Sequence, residues 1–277
     1  MDCRLHREPL SLLVLLLAFS VTLRAQNTYE ELVSQGIEAL KLDSLSVAEQ
    51  CFREAMHADP SSRANYLLFR YIGQIEERQG KTDEALQSYT LGLNLMPTCA
   101  DLMLDRAALY YRLGQEEKAL MGYTDALEID PTNTEALLVR AHLLRLKRDY
   151  KRARTDYENL LRLDPQNEEA MVGMVLLNDA DNLPKEAMDE INALVQLYPT
   201  HALLYAIRGG MEQRRKQYEV ALHDLNRAIE LDPLNADFYV SRATLYLDMR
   251  RKKLARADAQ KAVALGADAR EMAALLR

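Results

Sequence analysis

Residues 100–133 read ADLMLDRAALYYRLGQEEKALMGYTDALEIDPTN, and this stretch decides the fold. Met103, Ala107 and Tyr110 recur at helical spacing, and so do Ala119, Tyr123, Ala126 and Leu127. Each set is the buried stripe of one helix. Gly114 marks the turn between the two helices and Pro131 ends the second. Proline then returns every 34 residues, at Pro97, Pro131, Pro165, Pro199 and Pro233. A fixed period of this length means stacked supersecondary units.

Aligned on the proline, units start at Tyr29, Tyr66, Ala100, Thr134, Glu168, Ala202 and Ala236. Pro60 lies 37 residues before Pro97, which implies a three-residue insertion at Arg63-Ala64-Asn65. Twelve residues before each proline position stands an alanine: Ala48, Ala85, Ala119, Ala153, Ala187, Ala221 and Ala255. The eighth position of six units is small (Gly36, Gly73, Ala107, Ala141, Gly209 and Ala243), with Val175 the exception. The 24th is bulky in six (Phe52, Tyr89, Tyr123, Tyr157, Ile191 and Leu225), with Ala259 the exception. One small residue on each helix lets the backbones approach where they cross, and the large residue fills the space beside the crossing. No unit buries its apolar face alone, so the units must stack.

This pattern resembles the tetratricopeptide repeat (TPR) family over residues 29–269. Arg106-Ala107-Ala108-Leu109-Tyr110 and Ala126-Leu127-Glu128-Ile129-Asp130-Pro131 look like its two helical signatures. The resemblance implies an all-α fold, a right-handed α-α superhelix of about seven helix-turn-helix repeats. They are expected at 29–62, 66–99, 100–133, 134–167, 168–201, 202–235 and 236–269, with a short C-terminal cap at 270–277. The fifth is degenerate, with Val175 at the small position and Pro184 at the turn. The family's position-four Trp is replaced by Leu32, Phe69, Met103, Leu137, Met171, Tyr205 and Tyr239.

The resemblance also implies a non-catalytic scaffold that binds a protein or peptide in a concave groove. The family's groove positions fall here on Arg70, Gln74, Arg78, Leu104, Ala108, Tyr111, Arg112, Leu138, His142 and Arg145. Arginines with a tyrosine are residue types enriched at binding hot spots. They predict as partner an acidic segment with one or two apolar anchors. Domains of the family that grip a C-terminal carboxylate use Lys, Asn and a second Asn where this chain has Arg70, Gln74 and Asp105. Asp105 should repel a carboxylate, which argues against that role. The alternative is a structural part of an envelope complex, held by its edges or ends.

The 277-residue chain is 48% hydrophobic and 28% charged, with a formal net charge of −7 and no Trp. Such a composition is globular and helix-forming, and its acidity gives no general attraction to nucleic acid. No phosphate-binding glycine loop, nucleophile elbow or H-E-x-x-H pair occurs. His57, His142, His201 and His223 are scattered without ligand-spaced partners. Neither an enzyme nor a cofactor or metal site is expected. Asp179, Asp181 and Glu190 have a faint calcium-loop spacing, but Leu183 and Pro184 stand where a ligand and the sharp-turn Gly belong. A solvated turn is the better reading. Cys51 and Cys99 lie eleven repeat positions and one unit apart, too far for a disulfide, and are expected as free thiols.

The N-terminus reads as a secretory signal peptide. Arg4 and Arg7 precede an apolar run from Leu10 to Leu23 that ends at Leu23-Arg24-Ala25. Cleavage after Ala25 would export the chain to the periplasm or cell envelope, and the alternative is an uncleaved anchor. Cys3 precedes the apolar run, so it is not a lipoprotein cysteine. Turns within units carry basic runs such as Arg250-Arg251-Lys252-Lys253, and junctions between units are acidic. Helix macrodipoles account for part of this, and a basic rim for an acidic partner is the functional reading. At the other end, Asp268 and Glu271 should cap a short helix bearing Met272, Leu275 and Leu276. It would cover the last repeat only partly, leaving an end for dimerisation or partner docking.

Overall fold

The computed structural model describes residues 28–273. The predicted signal peptide, its cleavage site, and Leu275 and Leu276 lie outside them. The described residues form fourteen α-helices and no strand. They are α1 (28–41), α2 (Leu45–Ala58), α3 (Asn65–Arg78), α4 (Thr82–Leu95), α5 (Ala100–Arg112), α6 (Glu116–Ile129) and α7 (Thr134–Leu146). Then follow α8 (Tyr150–Leu163), α9 (Glu168–Ala180), α10 (Pro184–Leu197), α11 (Ala202–Arg214), α12 (Tyr218–Leu231), α13 (Ala236–Asp248) and α14 (Lys252–Ala264). The chain divides after Ala136 into two compact units, each described in turn.

The turn inside every repeat is one motif used seven times. Its central residue is left-handed: Asp43, Gly80, Gly114, Arg148, Asn182, Lys216 and Arg250, with φ between 57° and 76°. The amide one residue further on donates back to the carbonyl five residues earlier, at 2.8–2.9 Å in all seven. This is the Schellman closure of a helix C-terminus. Only two of the seven central residues are Gly, the type that adopts this backbone without strain. Pro184, expected at the fifth turn, instead opens α10, where its missing N–H is no loss. Junctions between repeats are closed by a second device. Asp59, Asp130, Asp164 and Asp232 each accept from the backbone N–H two residues on, at 3.0–3.3 Å. The acidic junctions thus have a local structural role. Of the three inserted residues, Asn65 joins α3, and its buried side chain donates to the Asp59 carbonyl at 3.0 Å.

In the first unit the small-large alternation takes the expected form. A Cβ on Gly36 would stand 2.5 Å from the Phe52 ring, and one on Gly73 would stand 2.5 Å from the Tyr89 ring. Leu68 and Ile75 of α3 pack into the core of Ala48, Phe52 and Ala55 from the preceding repeat. Leu102 and Leu109 of α5 do the same against Ala85, Tyr89 and Leu93. These two repeat positions, the third and tenth, are therefore the stacking face of each first helix. In α1 they are Glu31 and Glu38, both exposed. The outer face of α1 is built for water.

In the second unit Leu204 and Met211 join Ala187, Ile191, Leu194 and Val195, and Phe238 joins Ala228 and Ile229. The degenerate fifth repeat is accommodated by a shifted glycine. A Cβ on Gly173 would lie 2.4 Å from the Tyr157 ring of the fourth repeat, while Val175 is fully buried. A polar element also enters this core. Arg140, Arg208 and Arg242 make two-pronged salt bridges to Asp156, Asp224 and Asp258 at 2.7–2.9 Å. The three aspartates are buried. Arg208 and Arg242 also reach back to Asn192 and Asn226, at 3.0 and 2.7 Å. Each guanidinium thus ties the two helices of its repeat to the second helix of the repeat before. At the C-terminal end Asp268 accepts from the Arg270 N–H at 2.7 Å and Met272 is buried. Residues 269–272 form a turn that leads into a helical residue at Ala273, and the remainder of the expected capped helix lies outside the described residues.

Candidate protein-interaction face

In the first unit, repeat positions 9, 12 and 13 of α3 and α5 converge on one cleft of about 410 Å³. Gln74, Glu77 and Arg78 come from α3, Asp105, Ala108 and Arg112 from α5, Glu135 from the start of α7, and Tyr89 forms part of the lining. Gln74, Arg78, Ala108 and Arg112, expected on the groove, are brought together here. Arg70 stands beside the cleft, bonded to Asp105 and Asp101 at 2.6 Å. Tyr111 is 37% exposed. Leu104 departs from expectation: it is 9% exposed and belongs to the packed interior. In the second unit Leu138 is half-buried, and Arg145 lies 3.3 Å from the Nδ1 atom of His142.

The electrostatics of the cleft differ from those expected. Arg70 is held by Asp101 and Asp105, Arg78 by Asp43, and Arg112 by Glu77. Burial lowers the Arg70 pKa, but the hydrogen bond and charge of Asp105 outweigh it and leave the guanidinium more firmly protonated than usual. Gln74 also donates to Asp105, at 2.9 Å. Asp105 is therefore satisfied within the unit and is not a free repelling charge. The arginines are no row of unpaired cations either. Sequence spacing places an arginine on a helix face, but its carboxylate partner sits on a neighbouring helix or, for Arg78, in the turn before α2, 31 or 35 residues away. The positive field expected here is cancelled at its source.

Tyr89 closes the cleft floor and donates to Glu77 at 2.5 Å. Burial pushes its phenol far above the ordinary range, and Asp105 adds to the shift. Tyr123, buried at the equivalent position of the next repeat, is pushed up to about 12 by the same cause.

Three of the rim arginines are engaged as well. Arg214 pairs with Asp179, Arg251 pairs with Glu219 at 2.9 Å, and Arg215 donates to the Pro184 carbonyl at 2.6 Å. All three contacts join neighbouring repeats. The residues with calcium-like spacing are likewise taken up, Asp179 by Arg214, Asp181 by Arg154 and Glu190 by Asn178. Cys51 and Cys99 are half-buried free thiols. Among the described residues no group of three or more His, Cys, Asp or Glu is placed to hold a metal, and no helix is long and apolar enough to cross a membrane.

Sequence reasoning missed the Arg–Asp clamps. Their signal was present: Arg at the seventh and Asp at the 23rd position, 16 residues apart, in the fourth, sixth and seventh repeats. The third repeat has Arg106 but Gly122 opposite, and its guanidinium reaches Thr90 at 3.4 Å instead.

Tetratricopeptide repeat models match residues 100–133, 138–202 and 212–270, more than half of the chain. The chain belongs to the tetratricopeptide repeat family. Its fold is the family's all-α superhelical repeat. A tetratricopeptide repeat protein from Parabacteroides merdae is 29% identical with a TM-score of 0.77, over 90% of this chain and 98% of that one. A MamA RS-1 double mutant is similar in fold at 21% identity and a TM-score of 0.55, over 61% of this chain and 94% of that one. The Cut9–Hcn1 hetero-tetramer of the APC/C is similar in fold at 15% identity and a TM-score of 0.59, over 90% of this chain and 52% of that one. No curated protein sequence matches. The family and fold are those of typically non-catalytic scaffolds for protein–protein interaction.

Proposed function

We propose that the chain is a non-catalytic scaffold of the cell envelope that grips a protein or peptide segment along the first-helix face of its repeats. The observation that carries this reading is the cleft between α3, α5 and the start of α7. It is an open site of about 410 Å³ lined by hydrogen-bonding side chains from the same repeat positions of successive helices. Such a surface offers many adaptable contacts and no reacting group. The N-terminal apolar run and Ala25 support export. Ala108 is half-buried in the cleft wall, so Ala108→Trp should fill the space without disturbing the core. Affinity capture from an envelope extract should recover a partner with the native chain and lose it with Ala108→Trp. The edge variant Arg250→Glu/Arg251→Glu should keep it. The reverse pattern would replace the cleft by an edge-held assembly. Mass spectrometry of the protein from that fraction should find a chain beginning at Gln26, and an intact Met1 start would remove the secreted reading.

A further inference from the structure

The acidity of this protein is confined to its first unit. Residues 28–136 hold nineteen Asp and Glu against nine Lys and Arg, a net of −10. Residues 137–277 hold twenty-one against twenty-three, a net of +2. Arg78 and Arg112 on the first unit's cleft, and Arg70 beside it, are already bonded to Asp43, Glu77, Asp101 and Asp105. The field outside this unit is therefore set by the surplus carboxylates, among them the exposed Glu135 on the cleft rim.

An apolar groove lies in the same unit. Positions 5 and 9 of α1 are Val33 and Ile37, one helical turn apart. With Tyr29 they floor a groove of about 280 Å³ flanked by Glu30, Ser34, Glu38 and Lys41. Lys41 is taken up by Glu38 at 3.2 Å, so the rim has no surplus positive charge. Glu31 and Glu38 stand where every later first helix has a buried apolar stacking residue. Another repeat, or a second copy stacking end-on, would have to bury both carboxylates, at a cost of several kcal/mol per ion. The groove is apolar in its floor, acidic at its rim and closed to repeat stacking.

We infer that the first unit recognises a cationic segment carrying apolar anchors one helical turn apart. The anchors enter the Val33–Ile37 groove, and the lysines or arginines meet the carboxylates of α1, α3, α5 and the start of α7. This inference rests on the scaffold reading above and gives the partner the opposite charge from the one the groove arginines suggested in the sequence. A focused negative potential in a concave, partly apolar surface raises the local concentration of such a segment and speeds its capture.

The test uses the mature full-length chain and two synthetic peptides. One is lysine-rich with two leucines one helical turn apart, and the other is its glutamate-for-lysine counterpart. By fluorescence anisotropy at low salt, the lysine peptide should bind at least about tenfold tighter, and the gap should narrow towards ~0.3 M salt. Val33→Ser/Ile37→Ser should weaken lysine-peptide binding about tenfold at every salt concentration. Glu135→Lys, an exposed change that leaves the core alone, should weaken it several-fold at low salt only. Equal or tighter binding of the glutamate peptide overturns the inference, as does unchanged lysine-peptide binding in a Glu135→Lys chain whose circular dichroism is native. If neither peptide binds while Ala108→Trp still loses the captured partner, the cationic inference falls and the scaffold reading stands. If Ala108→Trp keeps the partner, the scaffold reading itself falls.

Discussion

Replacing Asp224 by Ala isolates the clamp that the second unit repeats three times. Asp224 is 1% exposed and accepts from Nε and Nη2 of Arg208 at 2.7 and 2.8 Å. Its removal leaves the Arg208 guanidinium with Asn192 at 3.0 Å and the Tyr205 ring at 5.7 Å. Breaking a buried pair from one side costs about 3–5 kcal/mol, because the remaining charge has lost both water and partner. The Arg208 side chain is 21% exposed, so it can turn partly towards solvent, and the lower end, about 3 kcal/mol, is expected. The double change Arg208→Met/Asp224→Leu removes both charges and should return stability to within about 1 kcal/mol of the native chain. The remaining loss is that of the Tyr205 cation–π contact, about 0.5–1 kcal/mol. Arg106→Met is the internal control. With Gly122 opposite and Thr90 at 3.4 Å, it should cost under about 0.5 kcal/mol. Urea unfolding followed by far-ultraviolet circular dichroism measures all three, as the chain has no Trp. A loss below about 1 kcal/mol for Asp224→Ala, or a double variant no more stable than the single one, refutes the reasoning.

Two glycines separate backbone strain from crowding. Around Gly80 nothing lies within 4 Å of an added Cβ, but φ is +76°; Gly80→Ala should cost about 1 kcal/mol in a thermal melt through conformation alone. Gly73→Ala meets the Tyr89 ring at 2.5 Å and should cost about 1–3 kcal/mol through overpacking; equal melting of both variants and the native chain would contradict the account. Burial favours the neutral phenol of Tyr123, whose pKa is raised from 10.0 to about 12. Its contribution is complete below pH 10, the unfolded value, and drains away as pH rises through about 12. Stability should fall more steeply over that window in the native chain than in Tyr123→Phe, with phenolate ultraviolet absorbance lagging behind that of exposed tyrosines. Identical slopes would count against burial as the cause. Glu31→Leu/Glu38→Leu gives α1 the stacking face of the later first helices, so the variant should self-associate in sedimentation velocity where the native chain does not do so through that face.

The arginines of the candidate site show where sequence reading stops. Their repeat positions were legible, because a helix face is fixed by spacing along one helix, and Gln74, Arg78, Ala108 and Arg112 do line one cleft. Leu104 was misplaced by the same rule, since local packing buries it. The state of each charge was not legible at all. Arg112 meets Glu77 and Arg78 meets Asp43 across neighbouring repeats, and such pairings depend on how one repeat is rotated against the next.

By itself the sequence determined the period, the helix pairs and the small-large crossings. These rest on short-range rules: helical spacing, proline and glycine at helix ends, and the volume of one side chain against its neighbour. Even the degenerate fifth repeat followed them, with Pro184 at the start of a helix and Gly173 making room for Tyr157. Only the tertiary structure decided the polar architecture. It showed that Arg208 and Asp224 are one buried clamp, that the groove arginines are neutralised, and that α1 presents Glu31 and Glu38 where its successors present buried apolar residues. The reason is physical. Apolar burial is non-directional and follows from residue type and spacing, whereas an ion pair between helices forms only when the fold brings two particular side chains within about 3 Å of each other.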